Sequence, residues 1–190
     1  MYGLQAEAHF DGAHFLTDYY GKCENLHGHR WRVVVTIEAE QLQAPESVMP
    51  GGADASPYAR HGRGGSALPL DQEASCDGAP LREDGTVARP GTMRGMVLDF
   101  GVFKRAVKEV ADRLDHTFLV EEGSLRPSTV TALQEEGFTL SILPFRTTAE
   151  NLARWFYDRL AEQGLPVSQV EVDETPNNRA FYAPEGHVGR

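Results

Sequence analysis

Between Gln41 and Arg94 the chain runs for 54 residues with 8 glycines and 6 prolines, and this stretch limits the fold more than any other feature. Proline fixes φ and lacks an amide proton, and glycine brings no side chain to a core. Clusters such as Pro50-Gly51-Gly52 and Gly62-Arg63-Gly64-Gly65 therefore break any long helix or strand. With no period to the spacing, the composition reads as irregular, flexible chain. Regular structure must come from the flanks, whose 136 residues suit one ordinary domain. The expectation is a single domain over 1–190 with 41–94 inserted between strands, as a mostly flexible excursion, a lid or an oligomer contact.

The flanks are patterned. Arg30 to Glu40 puts Trp31, Val33, Val35 and Ile37 on one face, a period-two strand, and Leu4, Ala6, Ala8 and Phe10 predict a strand before it. Asp99 can cap a helix in which Phe103, Val107, Val110 and Leu114 form a stripe. Thr147 to Glu150 reads as a capping box opening a second helix with Leu152, Trp155, Phe156 and Leu160, and Gly164 is a natural stop. Val167–Glu174 and Arg179–Ala183 read as closing strands around a Pro176-Asn177-Asn178 turn. The expected order is strand, strand, insertion, strand, helix, helix, strand, strand.

Charge and cysteine content narrow the function classes. The formal charge of −10 argues against general nucleic-acid binding, which needs a basic face. No apolar run approaches the roughly 20 residues that span a bilayer, and Met1 to Phe10 lacks a signal-peptide pattern. Two cysteines cannot make a disulfide framework, so a cytoplasmic setting is expected.

The chemistry concentrates in histidines. Residues two apart on a strand share a face about 6.6–6.8 Å apart. His27 and His29 can thus converge on one ion at the usual Zn–N distance of about 2.0–2.1 Å. His14, where the first strand ends, supplies a third ring if the first two strands pair antiparallel. Three neutral imidazoles with a free fourth position describe a catalytic zinc site; the competing reading of His-Gly-His is a turn with two exposed rings. Cys23, four residues before His27, is either a small buried residue or a thiol that nearby positive charge makes a base or nucleophile. Cys76 has no ligand pattern. Asp115 beside His116 can fix its tautomer and raise its basicity, or the pair is simply a charged helix end. Glu174 continues the Val170 and Val172 stripe, so it either points inward, where two parallel N–H groups of a heterocycle would satisfy it, or ends the strand in solvent. Glu150 stands between helix cap and site neighbour.

Taken in order, Gly12-Ala13-His14-Phe15-Leu16, Cys23 to His29, Gly95 to Phe100, Leu114-Asp115-His116, Thr148-Ala149-Glu150-Asn151 and Glu174-Thr175 resemble the 6-pyruvoyltetrahydropterin synthase and 6-carboxytetrahydropterin synthase family. The resemblance covers nearly the whole chain outside the insertion. It implies a single pterin-synthase domain with an α+β tunnelling fold, a four-stranded antiparallel sheet with two helices on one face. Such sheets close into an oligomeric β-barrel, here a homohexamer with active sites at subunit interfaces. It implies zinc on His14, His27 and His29, proton handling by Cys23 with Asp115 and His116, and Glu174 on the pterin ring.

The three-residue gap between Cys23 and His27 resembles the bacterial 6-carboxytetrahydropterin synthases of the queuosine pathway, whereas Glu174-Thr175-Pro176-Asn177-Asn178 is more like the pyruvoyl-forming branch. The retained cysteine sets the chain apart from the branch in which a glutamate takes that place. The expectation is a zinc-dependent lyase that converts 7,8-dihydroneopterin triphosphate to 6-carboxytetrahydropterin, releasing acetaldehyde and triphosphate. The alternatives are the pyruvoyl product and a non-catalytic zinc or pterin-binding module.

Overall fold

The structure, a computed structural model, describes residues 1–43 and 94–184, so the insertion expected at 41–94, and Cys76 within it, lie almost wholly outside the described residues. Contacts divide the described chain into two units, one of residues 1–4, 39–43 and 94–103, the other of residues 5–38 and 104–184. In the smaller unit Gln43 N–H donates to Met96 O and Gly95 N–H to Gln43 O, both at 2.9 Å, so the backbone meets on either side of residues 44–93. Residues 95–99 form turn and bend where a strand was expected, and the Asp99 carboxylate takes the Val102 N–H at 3.0 Å to start the first helix, as anticipated.

Strands β1 (Tyr2–His14), β2 (His27–Ala39), β3 (Thr117–Glu121), β4 (Leu140–Leu143), β5 (Val167–Thr175) and β6 (Asn178–Tyr182) form one sheet in the order β4-β3-β1-β2-β5-β6. Helices α1 (Phe100–Ala111), α2 (Pro127–Glu135) and α3 (Ala149–Ala161) complete the α+β chain. The strands read from the sequence pattern are β1, β2, β5 and β6, with β2–β5 and β5–β6 antiparallel as expected. To these the structure adds β3 and β4, which run parallel to β1 and to each other and make the sheet mixed.

Alternation drives the larger unit's core. On β2, Trp31, Val33, Val35 and Ile37 are fully buried, and Val33 and Val35 lie opposite Val172 and Val170 of β5. On β1, Phe10 stacks on Trp31 with ring centroids 5.8 Å apart and meets Phe156 of α3 at 5.9 Å. Helix α3 buries Leu152, Ala153, Phe156 and Leu160 and packs against β5 and β6. Gly164, at φ +82, ends it where a side chain would be strained. Burying each such large apolar side chain stabilises the fold by about 1.5–3 kcal/mol.

Phe10 touches both the sheet and the helix layer, so Phe10→Ala should lower stability by about 3–5 kcal/mol. Urea unfolding checks this: the midpoint should fall with the slope unchanged.

Candidate metal centre and its surroundings

Three inward-facing stripes each end in a potential ligand. Ala6, Ala8 and Phe10 of β1 lead to His14; Val33 and Trp31 of β2 lead to His29 and His27; Val170 and Val172 of β5 lead to Glu174. One ligand atom from each of His14, His27, His29 and Glu174 lies within 4.8 Å of all the others. Trp31 stands edge-on to two of the rings, 4.9 Å from His14 and 5.3 Å from His29.

Two of the imidazoles are oriented through Nδ1. His14 Nδ1 lies 2.9 Å from the Thr147 carbonyl oxygen and His27 Nδ1 lies 2.7 Å from that of Asn25. A carbonyl oxygen only accepts, so each Nδ1–H donates, and the neutral form of either ring turns an Nε2 lone pair to the centre. The Nε2 atoms of His14, His27 and His29 are buried without a hydrogen-bond partner among the described residues. A buried polar atom left so costs about 1–3 kcal/mol. Burial lowers the His14 pKa to about 4, with His27 and His29 adding to the effect and the Thr147 carbonyl opposing it. Burial likewise lowers His29, against the pull of Glu174. Both rings are neutral at pH 7, the state a metal ligand needs. Three convergent, unpartnered nitrogens beside a carboxylate fit a divalent cation.

Asp115 and His116 form a separate device. His116 Nδ1 and Asp115 Oδ2 are 2.9 Å apart, and Asp115 Oδ1 accepts the Asp11 N–H at 2.8 Å. His116 N–H donates to Asp11 O at 2.6 Å, which ties the pair to the end of β1. His116 sits at φ +54, a left-handed conformation uncommon outside glycine and typical of functional turns. The Asp11 N–H and His116 hold Asp115 below the usual carboxylate range, and Asp115 raises His116. His116 and His29 line the same cavity of about 470 Å³. A second cavity of about 620 Å³ is lined by His29, Arg30, Arg32, Asp173 and Glu174.

The other residues singled out from sequence fall outside the cluster. Cys23 is a half-buried free thiol on a single 3-10 turn at Lys22–Glu24, apart from the four-residue group and from the lining of both cavities. Its carbonyl accepts the Leu16 N–H at 2.8 Å, which fastens that turn behind His14. Glu150 is exposed in the first turn of α3.

The capping box is corrected: Thr148, not Thr147, caps α3 by accepting the Asn151 N–H. Thr147 is fully buried and offers its carbonyl to His14 instead. Sequence reasoning missed Thr147 and Asn25 as orienting groups because both act through backbone carbonyls, which any residue type supplies.

In the metal-free protein the His14 ring should titrate near 4 by NMR and His116 above 6.5; Asp115→Asn should bring His116 down toward 6.5. The folded state holds His14 below its unfolded value of about 6.5. It therefore binds fewer protons than the unfolded chain, and His14's contribution is full above pH 6.5 and lost as pH falls toward 4. Urea midpoints of the metal-free protein should drop across that window.

A sequence model described as 6-pyruvoyl tetrahydropterin synthase matches residues 3–52 and 84–185. The chain is 29% identical over 185 residues, 96% of its length and 99% of the relative's, to the 6-carboxy-5,6,7,8-tetrahydropterin synthase of Haemophilus influenzae. It is 24% identical over 184 residues, covering 96% and 93%, to the protein of that name from Synechocystis. Among solved structures, an uncharacterized protein of Wolinella succinogenes superposes with a TM-score of 0.58 at 20% identity, covering 97% of this chain and 98% of the other. The 6-pyruvoyl tetrahydropterin synthase of Caenorhabditis elegans superposes with a TM-score of 0.50 at 18% identity, covering 96% and 94%. At these identities the structural likeness concerns the fold, the α+β tunnelling fold of those synthases.

Proposed function

The chain belongs to the 6-pyruvoyl tetrahydropterin synthase family, and within it we propose that it is a zinc-dependent 6-carboxytetrahydropterin synthase. The reaction is conversion of 7,8-dihydroneopterin triphosphate, with one water consumed, to 6-carboxy-5,6,7,8-tetrahydropterin, acetaldehyde and triphosphate. The observation that carries the reading is the set of three buried, unpartnered Nε2 atoms on His14, His27 and His29. The names of the full-length relatives supply the product.

His14, His27 and His29 would hold the ion, and its chemistry when bound is Lewis acidity toward the substrate's side-chain oxygens. Glu174 accepts two parallel N–H groups of the pterin ring and so orients the side chain. Cys23, as thiolate, takes one proton from that side chain. His116, held in one tautomer and made more basic by Asp115, moves a second. Cys23 lies outside the four-residue group, which supports a role other than metal ligand.

A homohexamer in the cytoplasm, serving queuosine synthesis, completes the reading. In support of assembly, β4 and β6 are the sheet's two edges, and Ile142 (47% exposed) and Phe181 (60%) lie on them. Among the described residues these edges are unpaired, and unpaired edges are ordinarily covered by another chain or element. No helix among the described residues is long and apolar enough to cross a membrane. The residues Glu174-Thr175-Pro176-Asn177-Asn178, which resemble the pyruvoyl-forming branch, favour a second reading with a 6-pyruvoyl product.

Product analysis with dihydroneopterin triphosphate tests the reaction. Carboxypterin with an equivalent of acetaldehyde is expected, a pyruvoyl product would establish the second reading, and inertness would overturn both. Cys23→Ala should retain stoichiometric zinc while turnover falls by roughly 10²–10⁴-fold, the range for loss of a general base. Loss of zinc in that variant would make Cys23 a ligand.

A further inference from the structure

The Glu174 carboxylate stands in an arrangement that a substrate anchor alone does not explain. Its Oε1 lies 3.6 Å from His14 Nε2 and 3.7 Å from His29 Nε2. These distances are too long for hydrogen bonds, and all three ring nitrogens lack such a partner among the described residues. At His14, whose Nδ1–H is committed to Thr147, a carboxylate oxygen faces a nitrogen lone pair, two acceptors in opposition. That pairing is repulsive unless a cation lies between. Ligands about 2.0–2.2 Å from a tetrahedral ion are separated by about 3.3–3.6 Å, close to the spacing seen.

The same carboxylate also faces outward. Glu174 is 23% exposed and lines the 620 Å³ cavity beside Arg30, Arg32 and Asp173. The β5–β6 register shifts between Asp173 and Thr175, so Glu174 sits at an irregularity of the ladder, where pairing does not hold the backbone and a side chain can be re-aimed.

We propose that Glu174 is shared: it completes the metal's shell with His14, His27 and His29 before substrate arrives, and the two N–H donors of the incoming heterocycle draw it away. Departure opens the fourth position to the substrate's side chain. The proposal rests on the pterin reading above, since a ligand with two parallel N–H donors is what removes the carboxylate. One carboxylate cannot serve the ion and a bidentate heterocycle fully at once, so metal and pterin must weaken each other's binding by the same factor.

The test measures Zn²⁺ affinity of the full-length protein by competition with a chromophoric chelator. Glu174→Gln should bind zinc at least about tenfold more weakly than wild type, and equal affinity would overturn the proposal. Plain pterin, which lacks the side chain and so offers the metal no replacement ligand there, should at saturation weaken zinc binding to the wild type by a similar factor. Zinc affinity unchanged or tightened by pterin would overturn the proposal without relying on any variant. A protein that turns over dihydroneopterin triphosphate yet shows no antagonism keeps its proposed function and loses the shared carboxylate. A protein that binds no zinc loses both.

Discussion

The hydrogen bond from His14 Nδ1–H to the Thr147 carbonyl is the contact around which the rest of the site is arranged. It joins the end of β1 to the residue before the α3 cap, and it decides which nitrogen of a buried ring faces the centre. The segment that supplies the carbonyl is itself held on several sides. Thr147 Oγ1 reaches Phe15 O, Asn151 Nδ2 donates to Arg146 O, and the Arg146 guanidinium donates to Thr17 O. Arg146 also lies over the Tyr19 ring. The loop that begins a helix is therefore also the support of a ligand, and a ring so fixed keeps its lone pair aimed without a metal to hold it.

Strand parity extends that logic. The alternation that buries Trp31 and Val33 on β2 puts His29 and His27 on the same face, and the corresponding faces of β1 and β5 carry His14 and Glu174. The polar centre is the continuation of the apolar core, reached where each stripe runs out of hydrophobic residues. A one-residue slip of β2 against β5 would send both histidines to the opposite face together with Trp31, Val33 and Val35. The burial that fixes the register thus also fixes the ligand geometry, and Trp31 belongs to both.

Much of this was legible in the sequence because period-two strands with one buried face write their register directly into residue type. The His-Gly-His pair and the Phe10 and Val172 stripes were visible on that ground, whereas the Asp115–His116 couple was legible only as neighbours at a helix end. What escaped had no such pattern. Thr117–Glu121 is a short apolar run paired in parallel on both sides, where alternation disappears. Leu140–Leu143 is only four residues long, and Pro127–Glu135 buries no side chain, so it shows no stripe. The second partner of Glu174 escaped for a different reason: proximity of a β5 residue to the β1 and β2 histidines is a property of the sheet, not of any local spacing.

A site built at the end of a core has an energetic consequence. Three buried nitrogens without hydrogen-bond partners among the described residues oppose folding by about 1–3 kcal/mol each, against net stabilities of about 5–15 kcal/mol for whole domains. The core beneath them, from Phe10 and Trp31 outward, must offset that cost in the metal-free state, because the ligand stripes cannot be buried without it. A metal ion held there would remove the deficit at its source, and occupancy and folding would then be coupled through the same three atoms. Glu174 is partly buried like His27 and His29, but it is the one carboxylate in the set, and its 23% exposed side chain can turn to water. It is also the one member with no buried hydrogen-bonding atom left without a partner, and so the one that can be exchanged at least cost to the fold.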